Sequence, residues 1–358
     1  MLHPGPLVAD GALEIAVEPG AAPSLDLAAA ADTRLHAFLR AAWFGAAAGA
    51  APVVTLTGRR AISGEPIIAL PLVERRFGWM TLREVPGSYW PYRSFPVASD
   101  ASETELSSFL ASAEARAELG RIWRVGPVYA DDATAQRTMK AARRAGWTVL
   151  SRQLGTCYTV DLNGLLATGS WPSSKTLRKN RWLERRLGAA GALEFSTVSG
   201  SSWSAETFDR LAAIEAESWV GRGAGSGDAK FLDPDNRRGW ERAVRDPVIA
   251  GQLSCSLLHV GGEPAAFTFS LRSGNTLYFI ANSFSERFAE GSPGRILLYR
   301  DFQQAAAAGV ETIGWGAGDP GYKSEMGAKP GPDIIDLLLV RGHVAAGLAG
   351  LLWRRGQG

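Results

Sequence analysis

The chain has 358 residues, 46% of them hydrophobic and 21% charged, with a formal net charge of +2. That balance excludes a disordered chain and a coiled coil, and a charge so near zero gives no global electrostatic grip on nucleic acid. No apolar run approaches the roughly 20 residues that a bilayer span needs, and no basic stretch followed by an apolar core opens the chain, so no signal peptide is expected and the cytoplasm is the expected compartment.

Length suggests about two domains. In chain order, Leu13 to Val17 alternates and reads as a strand. Leu35, Phe38, Leu39, Ala42 and Trp43 recur at helical spacing after Asp32, an expected N-cap. Val53 to Thr57 and Ile67 to Val73 read as strands around a turn at Gly64. An aromatic, proline-rich loop follows from Gly87 to Pro96. Ser102 with Glu105 forms a capping box for a helix that carries Leu106, Phe109 and Leu110 on one face. Arg121 to Tyr129 reads as a strand, Thr134 to Ala145 as a helix closed by Gly146, and Trp147 to Gln153 and Thr156 to Leu162 as two strands.

Asn163 to Ser174 is rich in Gly, Ser and Pro and reads as a boundary. The order then restarts. A basic helix, Lys175 to Leu187, leads to a strand at Leu193 to Val198. A helix from Ala205 to Trp219 and another opened by Asp233-Pro234 come next. Strands follow at Leu253 to Val260, Ala265 to Arg272 and Thr276 to Asn282. Ser292-Pro293-Gly294 opens a helix to about Ala308, and strands at Glu311 to Gly316 and Ile334 to Val340 close the set. The shared helix-and-strand order of the two halves suggests a duplicated α/β unit.

Two cysteines, Cys157 and Cys255, sit inside strand-like runs and read as buried thiols. The four histidines, His3, His36, His259 and His343, have no paired ligand spacing, so no metal site is expected.

Four segments carry chemistry. Ser292-Pro293-Gly294-Arg295 stands at a helix start, where unpaired N–H groups suit a pyrophosphate and Gly291 and Gly294 leave room; a plain capped turn is the other reading. Gly314-Trp-Gly-Ala-Gly-Asp-Pro-Gly-Tyr-Lys323 follows a short strand. In it Asp319 can act as a base, Tyr322 offers a phenol with a reference pKa of about 10, and Lys323 can hold an anion; a glycine-rich surface loop is the alternative. Arg178, Arg181 and Arg185, at i, i+3 and i+7, share one helix face, which either binds an anion or faces solvent. The aromatic loop with Tyr89, Trp90, Tyr92 and Arg93 suits a ligand groove or a core.

On these residues the second half resembles GNAT-fold acyltransferases. More narrowly it resembles the bacterial tandem-GNAT acetyltransferases of cellulose and exopolysaccharide biosynthesis, the CelD-like family. The carrying motifs are Ser292-Pro293-Gly294, the alanine-rich helix end Ala305 to Gly309, the strand Ile313 to Gly316, Gly318-Asp319 with Tyr322-Lys323, and Glu217-Ser218-Trp219 upstream. The layout is also similar to Fem-type peptidoglycan aminoacyltransferases, through Val160-Asp161-Leu162 and Lys175, Arg178 and Arg185. One departure is the strand end Gly314-Trp315-Gly316, where the family commonly has an acidic residue. The second half also lacks the long helical arm of Fem enzymes.

The resemblance implies an α/β (α+β) fold of two tandem GNAT-like domains, each a mixed twisted sheet flanked by helices. Residues 1–162 would form a degenerate N-terminal domain and 163–358 the acyltransferase domain with the acyl-CoA site. It implies acetyl-CoA as cosubstrate, held by Tyr278, Ile280, Ser292, Gly294, Arg295, Ile296 and Leu297, with no metal. Tyr322 is the implied proton donor to the leaving thiolate and Asp319 the implied base. Arg178, Arg185, Trp219, Tyr89, Tyr92 and Lys323 would bind the acceptor, an amine or hydroxyl of a sugar or cell-envelope precursor. No nucleic-acid partner and no stable membrane insertion are implied. A Fem-type aminoacyltransferase and a non-catalytic binding protein on a degenerate GNAT pair are the other readings.

Overall fold

A computed structural model describes residues 12–32, 37–77, 80–87, 91–169, 171–223, 229–318 and 321–355. The chain divides into two compact units: residues 1–156 with 332–358, and residues 157–331. Residues 332–358, expected in the second half, group with the first unit because Ile334 to Val340 pair antiparallel with Ile122 to Tyr129.

Unit 1 begins with β1 (Leu13–Pro19), α1 (Ser24–Ala31), α2 (Ala41–Ala48), β2 (Val53–Arg60), β3 (Pro66–Phe77) and β4 (Met80–Glu84). It continues with α3 (Glu103–Ala111), α4 (Ala113–Leu119), β5 (Ile122–Tyr129) and α5 (Ala133–Arg144). β6 (Trp147–Asp161) then carries the chain into unit 2. There follow α6 (Leu162–Ala167), α7 (Ser174–Gly188), β7 (Leu193–Ser199), α8 (Ala205–Glu217), α9 (Trp219–Arg222), α10 (Pro234–Ala243) and α11 (Pro247–Gln252). The remaining elements of unit 2 are β8 (Leu253–Val260), β9 (Glu263–Ser273), β10 (Thr276–Phe284), α12 (Pro293–Ala307), β11 (Thr312–Ala317) and α13 (Tyr322–Glu325). β12 (Lys329–Arg341) returns the chain to unit 1, where α14 (His343–Arg355) follows.

The two units share one strand plan. In unit 1, β1, β2, β3 and β4 pair antiparallel in turn, β4 pairs parallel with β5, and β5 pairs antiparallel with β12. In unit 2, β7, β8, β9 and β10 pair antiparallel in turn, β10 pairs parallel with β11, and β11 pairs antiparallel with the end of β6. Each unit is thus a mixed sheet flanked by helices, with one parallel step at the same place. A parallel step requires a crossover, here α3 and α4 in unit 1 and α12 in unit 2.

β9 shows why its sequence reads as nearly continuous apolar. It is covered on both faces and buried from Ala265 to Leu271. Phe267 and Phe269 meet an aromatic cluster built from Trp203, Phe208, Phe231 and Trp240. Thr268, one residue from each and so on the other face, reaches Asp301 of α12. A second cluster joins Leu183 and Leu187 of α7 to Ile296 and Leu297 of α12. Each such buried aliphatic contributes about 1.5–3 kcal/mol by transfer from water.

Several sequence expectations change. Asp32 ends α1 as its C-cap rather than opening a helix, and Leu35 lies outside the described residues. The two strands expected from Trp147 to Leu162 are one strand, β6. The expected linker contains α6, capped by the Asp161 side chain on the Gly164 N–H at 2.8 Å. The helix expected to reach Trp219 breaks at Ser218, whose hydroxyl caps α9. α14 was not anticipated, because its Ala and Gly content blurs the helical period. Both cysteines are free and buried, and the Ser102–Glu105 capping box is present.

Unit 1 carries a buried ion cluster at Asp336 on β12. Its carboxylate receives Arg124 Nε at 2.9 Å and Arg152 Nη2 at 2.9 Å, and Arg124 also reaches Glu84 at 3.0 Å. Burial alone would lower the Arg124 pKa; the hydrogen bond and charge of Asp336, with Glu84, reverse this and hold the guanidinium above its usual value. Replacing Asp336 by Ala leaves two arginines without their shared carboxylate, and stability should fall by about 3–5 kcal/mol. Urea unfolding followed by circular dichroism tests this, and a loss below about 1 kcal/mol would contradict a central role for the cluster.

Candidate active site

The parallel step of unit 2 is short. β10 and β11 share the register Thr276↔Thr312, Leu277↔Ile313 and Tyr278↔Gly314, and no later pair continues it. On its other side β10 skips Ile280 between the pairs Phe279↔Ser270 and Ala281↔Phe269. Ile280 is therefore a bulge residue with no register partner on either side, although it is buried. The two strands part where the sequence places Tyr278 to Ala281.

The crossover helix α12 runs back from the same end. Among the described α-helices of unit 2 longer than four residues, it alone begins without a side-chain cap. Its N-cap, Ser292, is left-handed at φ 49°, Pro293 has no N–H, and no acidic residue stands in the first turn. The Ser292 carbonyl accepts the Arg295 and Ile296 N–H groups at 3.1 and 3.2 Å. Among the described residues the Gly294 N–H meets no backbone carbonyl. A helix start in this state offers a donor and a partial positive charge to an anion.

The glycines act differently from their sequence reading. A Cβ on Gly291 would stand 2.7 Å from Leu187, and one on Gly294 would stand 3.2 Å from Phe284. Their missing side chains make room for protein packing, and Gly294 alone adds an open N–H. The Ile296 and Leu297 side chains lie in the core, so only their backbone is available to a ligand.

Unit 1 supplies an internal comparison. Its corresponding crossover begins with α3, where Ser102 and Glu105 close the helix start and Glu103 adds a second negative charge. That terminus satisfies its own donors and repels anions.

β11 ends at the same end of the sheet as β10, and α13 follows it. Arg295 Nη1 reaches Glu325 Oε2 at 3.1 Å, tying the first turn of α12 to α13. The Tyr322 ring stands edge-on to Trp315, centroids 5.4 Å apart, and the residue is 37% exposed. Lys323 is buried, and its Nζ donates to the carbonyls of Trp315 at 2.7 Å, Ala317 at 3.2 Å and Gly318 at 2.7 Å. Three donors meet three acceptors, so Lys323 ties the start of α13 to the end of β11 beside Tyr322. Asp319 and Tyr89 lie outside the described residues.

On α7, Ser174, Leu177, Arg178, Arg181, Glu184 and Arg185 line an open cavity of about 800 Å³. Glu184 pairs with Arg300 at 3.1 Å, whereas the three arginines have no ion-pair partner among the described residues. By contrast, Arg186 on the same helix pairs with Glu290. Trp219 is exposed at the start of α9. Tyr92 belongs to unit 1, where its ring lies 5.0 Å from Tyr129 and is mostly buried.

Three anchors escaped the sequence reading. The buried Glu215 carboxylate accepts the N–H groups of Lys230, Phe231 and Leu232 at 2.7–3.1 Å. Glu217 accepts the buried Ser285 hydroxyl, just beyond β10. Asp301 accepts the Thr268 hydroxyl and is bonded by Ser256. Asp233-Pro234, by contrast, announced its local role, as an N-cap with bonds from the Asp235 and Asn236 N–H groups. Burial, with the charge of Asp301, pushes the Cys255 thiol well above its usual range, which removes it as a nucleophile. Among the described residues no group of three or more His, Cys, Asp or Glu could hold a metal ion, and no helix is long and apolar enough to cross a membrane.

Residues 174–324 match the model of the acetyltransferase (GNAT) domain. No curated protein matches the chain. Among solved structures, the C-terminal domain of a putative lysylphosphatidylglycerol synthetase from Agrobacterium fabrum is similar over 93% of this chain and 95% of that one, at 16% identity and a TM-score of 0.54. A conserved protein of unknown function from Bacteroides thetaiotaomicron aligns over 91% and 100%, at 13% identity and a TM-score of 0.56. FemX aligns over 83% and 90%, at 14% identity and a TM-score of 0.54. At these identities the likeness is one of fold. Unit 2 therefore carries a GNAT-type acyltransferase domain, with the open helix start and the parting strands inside the matched segment.

Burial pushes the Asp301 carboxyl up to about 6 from 3.8, and the bonds from Ser256 and Thr268 offset only part of that. The folded state thus holds this proton more tightly than the unfolded chain. Its contribution to stability is full below about pH 4 and is lost as pH rises through about 6, a difference of roughly 3 kcal/mol. Asp301→Asn should therefore be more stable than the parent at pH 7.5, with the advantage shrinking to nothing below pH 4. Thermal melts across that range check this; an advantage that grows on acidification would contradict it.

Proposed function

We propose that unit 2 is an acyl-CoA-dependent N-acyltransferase that uses acetyl-CoA and acts on an anionic acceptor of the sugar or cell-envelope precursor class. The observation that carries this reading is the open start of α12 beside the parting of β10 and β11, with Tyr322 tied to it through Arg295 and Glu325. Acyl-CoA supplies, when bound, an acyl group activated as a thioester. The residues present suit such a group: Ser292 to Leu297 offer backbone and a positive helix end to a pyrophosphate, and Gly294 supplies the open N–H.

The chain's own groups divide the remaining work. The backbone N–H of the bulge residue Ile280 is the donor in this reading to a developing oxyanion. Tyr322 holds a proton at Oη for the leaving group, and Lys323 keeps the preceding turn in place. Asp319 is the proposed base for the acceptor amine, with the exposed Glu217 carboxylate as a second acid near the end of β10. Arg178, Arg181 and Arg185 bring to one cavity three positive charges that have no ion-pair partner among the described residues, which favours an acceptor carrying phosphate or carboxylate groups. Trp219 adds an exposed aromatic surface for a sugar ring.

Ser292→Asp places a carboxylate at the helix start, in a left-handed position that Asp tolerates. Calorimetry should show at least tenfold weaker acetyl-CoA binding, about 1.4 kcal/mol, with the melting temperature unchanged or raised. Equal affinity would remove α12 from donor binding, and binding of aminoacyl-tRNA in place of acetyl-CoA would replace the donor assignment. Tyr322→Phe should lower thiol release from acetyl-CoA, with an amino-sugar phosphate as acceptor, by about 10²-fold while leaving its affinity within twofold. Unchanged turnover would exclude Tyr322 as the proton donor.

A further inference from the structure

We propose that α14 is a membrane-surface helix whose outward aliphatic stripe enters the headgroup boundary of an anionic bilayer. One face of α14 is already used. Ala346 is buried with Leu338 and Val340 of β12, and Ala345, Ala349 and Trp353 pack against the same cluster. The Trp353 ring also lies 4.0 Å under the Arg152 guanidinium. That docking fixes the helix and leaves its other face outward.

The outward face is apolar. Val344 is 82% exposed, Leu348 63% and Leu351 60%, at i, i+4 and i+7 of one helix. Single exposed hydrophobics are ordinary, but a stripe at helical spacing is an amphipathic surface. Between them stands Gly347, which adds no side chain to the surface.

Charge identifies the occupant. From Arg341 to Gly358 the sequence holds Arg341, His343, Arg354 and Arg355 and no acidic residue. An apolar helix stripe with a wholly basic charge pattern suits an interface of acyl chains and anionic headgroups. A second copy of the chain is disfavoured, because pairing this stripe with itself in either direction sets basic ends against basic ends. The length of α14, 13 residues, is too short to span a bilayer, so the helix lies on the surface and the attachment is reversible. Such attachment would hold an acyltransferase beside membrane-bound acceptors without insertion.

Flotation of the full chain with vesicles tests this. The chain should float with vesicles of phosphatidylcholine and phosphatidylglycerol at 0.1 M salt and stay behind with phosphatidylcholine alone. Raising the salt to about 0.5 M should release most of it, since the Debye length shortens about twofold. Leu348→Glu with Leu351→Glu, both exposed and therefore tolerated by the fold, should cut the bound fraction at least tenfold at an unchanged melting temperature. Arg354→Gln with Arg355→Gln should weaken binding and flatten its salt dependence. Absence of flotation on the anionic vesicles overturns the proposal, as does equal flotation of the leucine variant. A sedimentation coefficient that falls from dimer to monomer in the leucine variant would instead assign the stripe to a second copy.

Discussion

The site of unit 2 rests on one topological constraint. Two neighbouring strands can run parallel only if the chain crosses over between them, and in unit 2 that crossover is α12. A crossover helix returns along the sheet, so its N-terminus stands at the end where the first strand finishes. The residues after the second strand emerge at that end too. β10 therefore leads to Ser292 and Gly294, β11 leads to Tyr322 and Lys323, and the Arg295–Glu325 pair joins the two. The helix dipole, the bulge at Ile280 and the phenol share one end of the sheet because of this order, and the parallel register between β10 and β11 stops there after three pairs.

The same constraint applies in unit 1 and leads to a different outcome. Its parallel step between β4 and β5 is also bridged by helices. There the first crossover helix is closed by its own Ser102 and Glu105. A few side chains at a helix start thus separate a terminus that stabilises itself from one that is open to an anion. Unit 1 invests in internal pairing, as the Asp336 cluster shows, whereas Arg178, Arg181 and Arg185 of α7 have no ion-pair partner among the described residues beside their cavity.

Much of this was legible in the sequence wherever the signal is local. The capping box at Ser102, the Asp233-Pro234 start, β8 over Leu253–Val260 and the face shared by Arg178, Arg181 and Arg185 follow from spacing alone. What the sequence hid depends on partners distant along the chain. Glu215 looks like an ordinary helix carboxylate until the N–H groups of residues 230–232 are placed on it. Lys323 reads as an exposed cation until the turn carbonyls close around it. Gly291 reads as a gap for a ligand until Leu187 fills it. The return of residues 332–358 to unit 1 is likewise set by pairing with β5, which no local pattern announces.

The central claim is that the open start of α12 and the parting of β10 and β11 form one donor site. A crystal structure of the protein with bound CoA tests it most directly. The account predicts pyrophosphate density against the backbone of residues 292–297, with the Gly294 N–H donating to it, and a pantetheine arm running toward Ile280. Pyrophosphate bound elsewhere, including at the closed start of α3, would contradict it.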